Sequence, residues 1–219
     1  MLRSPPAAIS RSSARIWPAH RPLLPYPTQL GETQVLLGGE PMPLQYAGTG
    51  QINAVVPFDV PVNTPQQLIV EQNGVSSLPE TVVIAAAQPA VFTQDQSGMG
   101  AGAIVVVKAN GSQFPNTPGA PAAAGDALVI YCTGREAVTP AIPTGSAAPF
   151  SPLSTTANSV TVTIGGQPAQ VLFAGLAPGY VGLYQVNAIV PAGISPGPNV
   201  SVILSAAGAM SPPVTVAIQ

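Results

Sequence analysis

The chain carries very little charge. Its 219 residues include six basic and eight acidic side chains, so charged residues make up 6% of the sequence, against about 25% in an ordinary soluble domain. A formal net charge of −2 offers no basic surface for nucleic acid or for an anionic membrane. The acids are spread singly, which provides no facing pair of carboxylates for glycoside hydrolysis. We therefore expect no nucleic-acid partner and no glycosidase activity.

Histidine and cysteine are equally scarce. His20 is the only histidine and Cys132 the only cysteine. A Ser–His–Asp triad needs a histidine beside its nucleophile, and a zinc site needs several such ligands, so the sequence predicts no enzyme, no metal and no cofactor. Cys132 lies in the apolar run LVIYC, where packing in the core is the expected role. A hydrolase that uses this thiol is the least favoured alternative.

The sequence also lacks long hydrophobic runs. No uninterrupted apolar stretch approaches the roughly 20 residues that cross a bilayer, so no membrane span is expected. Residues 1–29 show no periodicity and contain four scattered arginines. We interpret them as an unstructured leader without a recognisable secretory signal.

What the chain does contain is an internal repeat. Residues 35–48 read VLLGGEPMPLQYAG and residues 162–175 read VTIGGQPAQVLFAG, with six of fourteen positions identical. The match resumes where QINAVVP (residues 51–57) corresponds to QVNAIVP (residues 185–191), after about seven extra residues in the second copy. A repeat of this length predicts a duplicated folding unit. We call residues 35–84 the first copy and residues 162–218 the second copy.

Short β-branched runs alternate with turn signals along the chain, and none has a helix-length apolar stripe. This pattern predicts an all-β fold of two tandem immunoglobulin-like antiparallel β-sandwiches. The expected domains are residues 30–88 and 119–219, joined by a hairpin-containing connector at residues 89–118. Residues 125–134 (GDALVIYCTG) precede the second copy as a strong strand. No such strand precedes the first copy, so we expect the first domain to lack its first strand and to be marginally stable on its own.

Several of these segments resemble a known family. The segments are VTIGGQPAQVLFAGLAPGYVGLYQVNAIVPAGISPG, SPPVTVAIQ, PAVFTQDQSGMGAGAIV, AGDALVIYCTG and GSAAPFSPLSTT. They resemble the uncharacterised Solibacter C-terminal domain, which is found at the ends of exported proteins of acidobacterial type and is related to the IPT/TIG immunoglobulin-like modules. Where that family usually continues with ATGLG, this chain has CTGRE, with Arg135 and Glu136 in place of an apolar–Gly pair.

The resemblance implies a secreted or cell-surface bacterial module without a known activity. The leading hypothesis is a non-catalytic adhesion or spacer module at the C-terminus of an exported protein. Its partner would be a protein or a polysaccharide at the cell surface. The export signal is then expected in a longer parent chain.

Two further sites follow from single residues. A carbohydrate-binding module is the alternative function, because Tyr180 and Tyr184 lie in or beside the insertion of the second copy and exposed aromatic rings stack on sugars. Asp95, with Ser97 and nearby glycines, has oxygen ligands of the type that calcium binds, but it lacks repeated acidic spacing. An ordinary glycine turn is the favoured interpretation there.

Overall fold

The computed structural model describes residues 24–134 and 137–219, and all regular secondary structure in these residues is β-strand. The prediction of an all-β fold built from antiparallel sheets is confirmed, and the arrangement is that of a β-sandwich. Frequent proline and paired glycines keep the strands short, because proline cannot donate to a ladder and glycine permits tight turns. The division into two tandem domains stays a prediction.

The first part of the described chain contains eight strands: β1 (Gln29–Leu30), β2 (Thr33–Leu37), β3 (Glu40–Pro41), β4 (Leu44–Gly48), β5 (Gln51–Ala54), β6 (Pro65–Gln72), β7 (Val75–Ser76) and β8 (Glu80–Val83). Six of them form one sheet, in which β2 pairs with β1, β3 and β6, and β6 also pairs with β7 and β8. The other two, β4 and β5, form a separate two-stranded sheet. A small apolar cluster around Leu37 and Leu44 packs between these sheets.

Thirteen further strands follow: β9 (Ala90–Val91), β10 (Ile104–Val107), β11 (Gln113–Pro115), β12 (Ala127–Thr133), β13 (Val138–Thr139), β14 (Thr155–Thr156), β15 (Val160–Ile164), β16 (Gln167–Ala169), β17 (Val171–Leu176), β18 (Tyr184–Ile189), β19 (Gly197–Ala206), β20 (Ala209–Met210) and β21 (Val214–Ile218). An eight-stranded sheet has the order β11-β10-β12-β18-β17-β14-β13, with β9 also paired to β12. A five-stranded sheet contains β15, β16, β19, β20 and β21. A large apolar core lies between these two sheets and includes Ile130, Val186 and Leu204.

The two copies of the repeat have the same strand pairing. In each, a hairpin turns on two glycines with positive φ, Gly38-Gly39 in the first copy and Gly165-Gly166 in the second. The chain then crosses to the other sheet for the next two strands and returns for the last three. The glycine pair that follows QVLL therefore joins β2 to the short β3, and β4 belongs to the facing sheet.

Segment 89–118 is arranged differently from the connector that we expected. The hairpin predicted there is β10–β11, yet β10 also pairs along its length with β12, from Ile104 opposite Ile130 to Val107 opposite Ala127. Ile104 is 1% exposed and belongs to the large core. An apolar strand whose two faces are both buried also needs a hydrogen-bonded neighbour at each edge, and in this sheet those neighbours are β11 and β12. This segment is thus an integral part of the eight-stranded sheet.

The end of the expected leader is also structured. Residues 24–29 are described, and among them Tyr26 is buried, with its N–H donating to the Gly145 carbonyl at 2.8 Å. Its hydroxyl accepts a hydrogen bond from the Gln45 side-chain amide at 3.2 Å. Burial raises the pKa of this phenol, although the Gln45 hydrogen bond acts in the opposite sense. Residues 1–23, which include His20, lie outside the described part of the chain. The Arg135-Glu136 pair lies outside it as well.

Candidate functional site

The two tyrosines singled out from the sequence occupy different environments. Tyr184 begins β18, lies opposite Cys132 of β12 and is 3% exposed, as part of the large core. Tyr180 is partly buried in the loop before β18, where its N–H donates to the Ala177 carbonyl at 3.1 Å. Tyr184 therefore presents no exposed ring face, because alternation along β18 directs its side chain into the core. Of the two, Tyr180 alone keeps partial exposure, and a sugar contact at these tyrosines stays a prediction.

A third tyrosine, Tyr131, lies near Tyr180. Burial, together with the neighbouring Tyr180 phenol, raises the pKa of Tyr131 to about 12. Loss of solvation is the main cause, because a phenolate is poorly stabilised away from water. A phenol that ionises only at such a pH stays neutral under physiological conditions and offers no base for catalysis.

Cys132 lies in the middle of the core. Its side chain has 0% exposure, and β12 places it opposite Val91 on one side and Tyr184 on the other. A thiol acts as a nucleophile only as an accessible thiolate, and burial among apolar side chains disfavours that form. The position supports core packing for this residue.

The Asp95 segment is a hydrogen-bonded turn. One carboxylate oxygen of Asp95 accepts hydrogen bonds from the Ser97 backbone N–H at 3.1 Å and from the Ser97 hydroxyl at 2.8 Å. These bonds lower the pKa of the Asp95 carboxyl, since they stabilise its charged form. No group of three or more histidine, cysteine or acidic side chains able to hold a metal ion occurs in residues 24–134 and 137–219. Within the described chain, Asp95 serves the turn.

One ion pair was not among the sequence-based predictions. The Lys108 ammonium lies 2.6 Å from a carboxylate oxygen of Asp126, which also accepts the Ala123 N–H at 2.7 Å. Lys108 further lies 5.8 Å from the centre of the Phe114 ring. Asp126 immediately precedes β12, so this pair fixes the start of that strand against β10. The charges of Lys108 and Asp126 therefore stabilise the fold.

A groove next to the first copy is the best candidate for a binding site. Its volume is about 420 Å3, and we call it the interlayer groove. It is lined by residues 54–58, Val60, Val62 and residues 83–86 on one side, and by residues 181–184 on the other. Three of these valines are unusually exposed: Val56 at 41%, Val62 at 46% and Val83 at 59%. None of the described residues that line it is acidic, basic or a histidine.

The seven-residue insertion of the second copy forms one wall of this groove. A Cβ placed on Gly182 would lie 3.4 Å from a Val55 methyl group, so the two backbones approach closely there. The insertion therefore packs against the first copy. Such a groove can hold an apolar ligand by surface burial.

Comparisons with known proteins identify no relative. No family model, no curated protein and no solved structure matches this chain. Among the residues that the structure describes, there is no helix of the length and apolarity that crossing a membrane requires.

Proposed function

We propose that this chain is a non-catalytic interaction module, an immunoglobulin-like adhesion or spacer unit at the C-terminus of an exported bacterial protein. The interlayer groove carries this proposal. Its exposed valines form an apolar surface of the kind that marks interaction sites, and its described lining has no charged side chain. The resemblance to an exported C-terminal family, described above, supports the placement outside the cytoplasm. The partner is a protein or a polysaccharide of the cell surface.

The reactive groups support the same conclusion. Cys132 is fully buried, and the Asp126 carboxylate is engaged by Lys108 and by the Ala123 N–H. The Asp95 carboxylate closes its own turn. These three groups are engaged in packing or in hydrogen bonds of the fold.

The proposal is tested by binding and by chemistry in parallel. The purified chain is mixed with cell envelope from its source organism and sedimented, with the heat-unfolded chain as control. We expect native chain to be retained and thiol labelling of Cys132 to require denaturant. Ester or peptide hydrolysis that Cys132→Ser abolishes, together with rapid labelling of the native thiol, would replace the interaction role with an enzymatic one.

A further inference from the structure

Residues 122–126 fill the space beside the second copy between the end of β18 in one sheet and the end of β21 in the other. The Ala122 N–H donates to the Ala217 carbonyl at 2.9 Å, and the Gln219 N–H donates to the Ala122 carbonyl at 2.8 Å. Further along, the Val190 N–H donates to the Asp126 carbonyl at 2.9 Å. Residues 122–126 thus join the end of β21 to the end of β18, and β12 continues along β18.

The first copy has the same positions but no such segment in the described chain. Val56 and Val83 correspond to Val190 and Ala217 at the repeat offset of 134. Val190 is 1% and Ala217 is 4% exposed, whereas Val56 is 41% and Val83 is 59% exposed. Both exposed valines line the interlayer groove. The groove is therefore the space that residues 122–126 fill in the second copy.

The outer edge of β5 has backbone groups that can pair with a further strand. The Val55 N–H donates to the Pro43 carbonyl at 2.9 Å, toward β4. Alternate residues of a strand direct their backbone groups to opposite edges, so Ala54 and Val56 direct theirs away from β4. Within residues 24–134 and 137–219, β5 pairs with β4 and with no other strand. The corresponding edge of β18 is covered by β12 over six residue pairs.

We propose that the interlayer groove and the outer edge of β5 bind an extended peptide segment from outside residues 1–219 by strand addition. The peptide has the chemistry of residues 121–133: a small-residue stretch, then Gly-Asp, then apolar side chains at alternate positions. It adds a strand antiparallel to β5, in the register that β12 holds on β18. This mode of recognition combines main-chain hydrogen bonds with apolar contacts of alternate side chains.

Two other occupants fit the surface less well. Residues 1–23 contain four prolines and four arginines, and no proline-free stretch in them places apolar side chains at three alternate positions. A second copy of this chain would have to withdraw its own β12, whose Leu128, Ile130 and Cys132 are fully buried. A peptide segment from outside residues 1–219 with the chemistry of residues 121–133 meets neither obstacle.

This inference rests on the interaction role proposed above, and it narrows the partner to a polypeptide. Its test does not depend on cell envelope. Retention on envelope without peptide binding would leave the interaction role standing and would refute strand addition alone.

The test uses the intact chain and a fluorescent peptide of residues 121–133 that carries Cys132→Ser. The control peptide carries Leu128→Asp and Ile130→Asp in addition. Fluorescence anisotropy should show saturable binding of the first peptide, and the control should bind at least about tenfold more weakly, because each change removes buried apolar surface.

Matched variants of the protein locate the site. Val83→Lys should weaken peptide binding about tenfold, whereas Val75→Lys, at a valine that is 70% exposed on β7, should leave it unchanged. Ala54→Pro removes an edge N–H and should also weaken binding. The two lysine variants carry the test if the proline variant fails to fold.

Every outcome decides the matter. Saturable binding that is weakened by Val83→Lys but not by Val75→Lys supports strand addition. Absence of binding, or equal binding of both peptides, refutes it. Dimerisation of the chain that Val83→Lys abolishes, without peptide binding, would assign the groove to a second copy and refute binding of such a peptide segment.

Discussion

The two copies of the repeat fold alike and are buried differently. Val35 pairs with Val70 in the first copy as Val162 pairs with Leu204 in the second. Each copy has a bulge at the same place, between Leu44 and Tyr46 in the first and at the equivalent residues of β17 in the second. Pairing and register are therefore set by the repeated sequence itself, because glycine turns and alternation specify them locally.

The burial of the β5 and β18 side chains depends on strands that lie outside the repeat. In the second copy β18 lies between β17 and β12, and further strands extend the sheet beyond β12. In the first copy the equivalent sheet has two strands. Val56 and Val83 are consequently exposed, whereas their counterparts Val190 and Ala217 are buried. The comparison teaches that a duplicated motif is not a complete domain until an additional strand covers it.

The largest expected difference concerns one matched pair of core positions. Val186 is 0% exposed in β18, and its counterpart Ile52 in β5 is only partly buried. Val186→Ala should lower the free energy of unfolding by about 2–3 kcal/mol through lost burial and a cavity, and Ile52→Ala by about 1 kcal/mol although it removes more atoms. Denaturant unfolding of both variants measures this. Equal losses would show that β5 is covered.

Within residues 24–134 and 137–219, the first copy has no counterpart of the ion pair at the start of β12. Asp126→Asn removes the charge that Lys108 contacts at 2.6 Å. We expect a loss of about 1–2 kcal/mol, with allowance for the partial exposure of the lysine. Asp59→Asn, at an exposed carboxylate before Val60, is the control and should change the unfolding free energy little. An equal effect of both changes would contradict a role for the pair in anchoring β12.

A serine at equivalent positions offers a finer comparison. The Ser211 hydroxyl accepts the buried Leu204 N–H at 3.0 Å, and the Ser77 hydroxyl accepts the exposed Val70 N–H at the same distance. Ser211→Ala should cost about 1 kcal/mol because it leaves a buried donor unsatisfied, and Ser77→Ala only a few tenths because water replaces the hydroxyl. Thermal unfolding of the two variants distinguishes these outcomes. The account fails here if Ser77→Ala is the more costly change.

The smallest effect is a dependence of the folding stability on alkaline pH that arises from Tyr131. The pKa of Tyr131 is raised to about 12 in the folded chain from an ordinary value of 10.0. Between these values the unfolded chain has lost the phenolic proton and the folded chain has kept it, so stability falls as the pH rises from about 10 to about 12. Tyr131→Phe should reduce this fall. An ultraviolet titration of the native chain should show one fewer late-ionising phenol in the variant.

The repeat made much of the fold predictable. The glycine pair after QVLL and the run GDALVIYCTG indicated a turn and a strand, and both are present because their causes are local. The position of segment 89–118 was not predictable in this way. Val106 pairs with Leu128 across a Pro/Ala loop, and periodicity alone does not say which distant strand covers an apolar face.

For the candidate site, the sequence predicted only that a strand is missing beside the first copy. The missing counterpart of β12 indicated an unpaired edge, but the groove also depends on how the insertion packs against Val55. Tyr184 illustrates the opposite limit. Because Tyr184 lies beside an insertion, the sequence suggested that its ring is exposed. The alternation of side chains along β18 instead directs the ring into the core.

The most direct test of the unequal copies is hydrogen exchange in two nearly identical segments. Residues 51–56 read QINAVV and residues 185–190 read QVNAIV, so their intrinsic exchange rates are nearly equal. The account predicts that the amides of Val186, Ala188 and Val190 exchange more slowly than those of Ile52, Ala54 and Val56, by on the order of a hundredfold or more. Equal protection of the two segments would contradict it, because β5 would then have a strand on its outer edge.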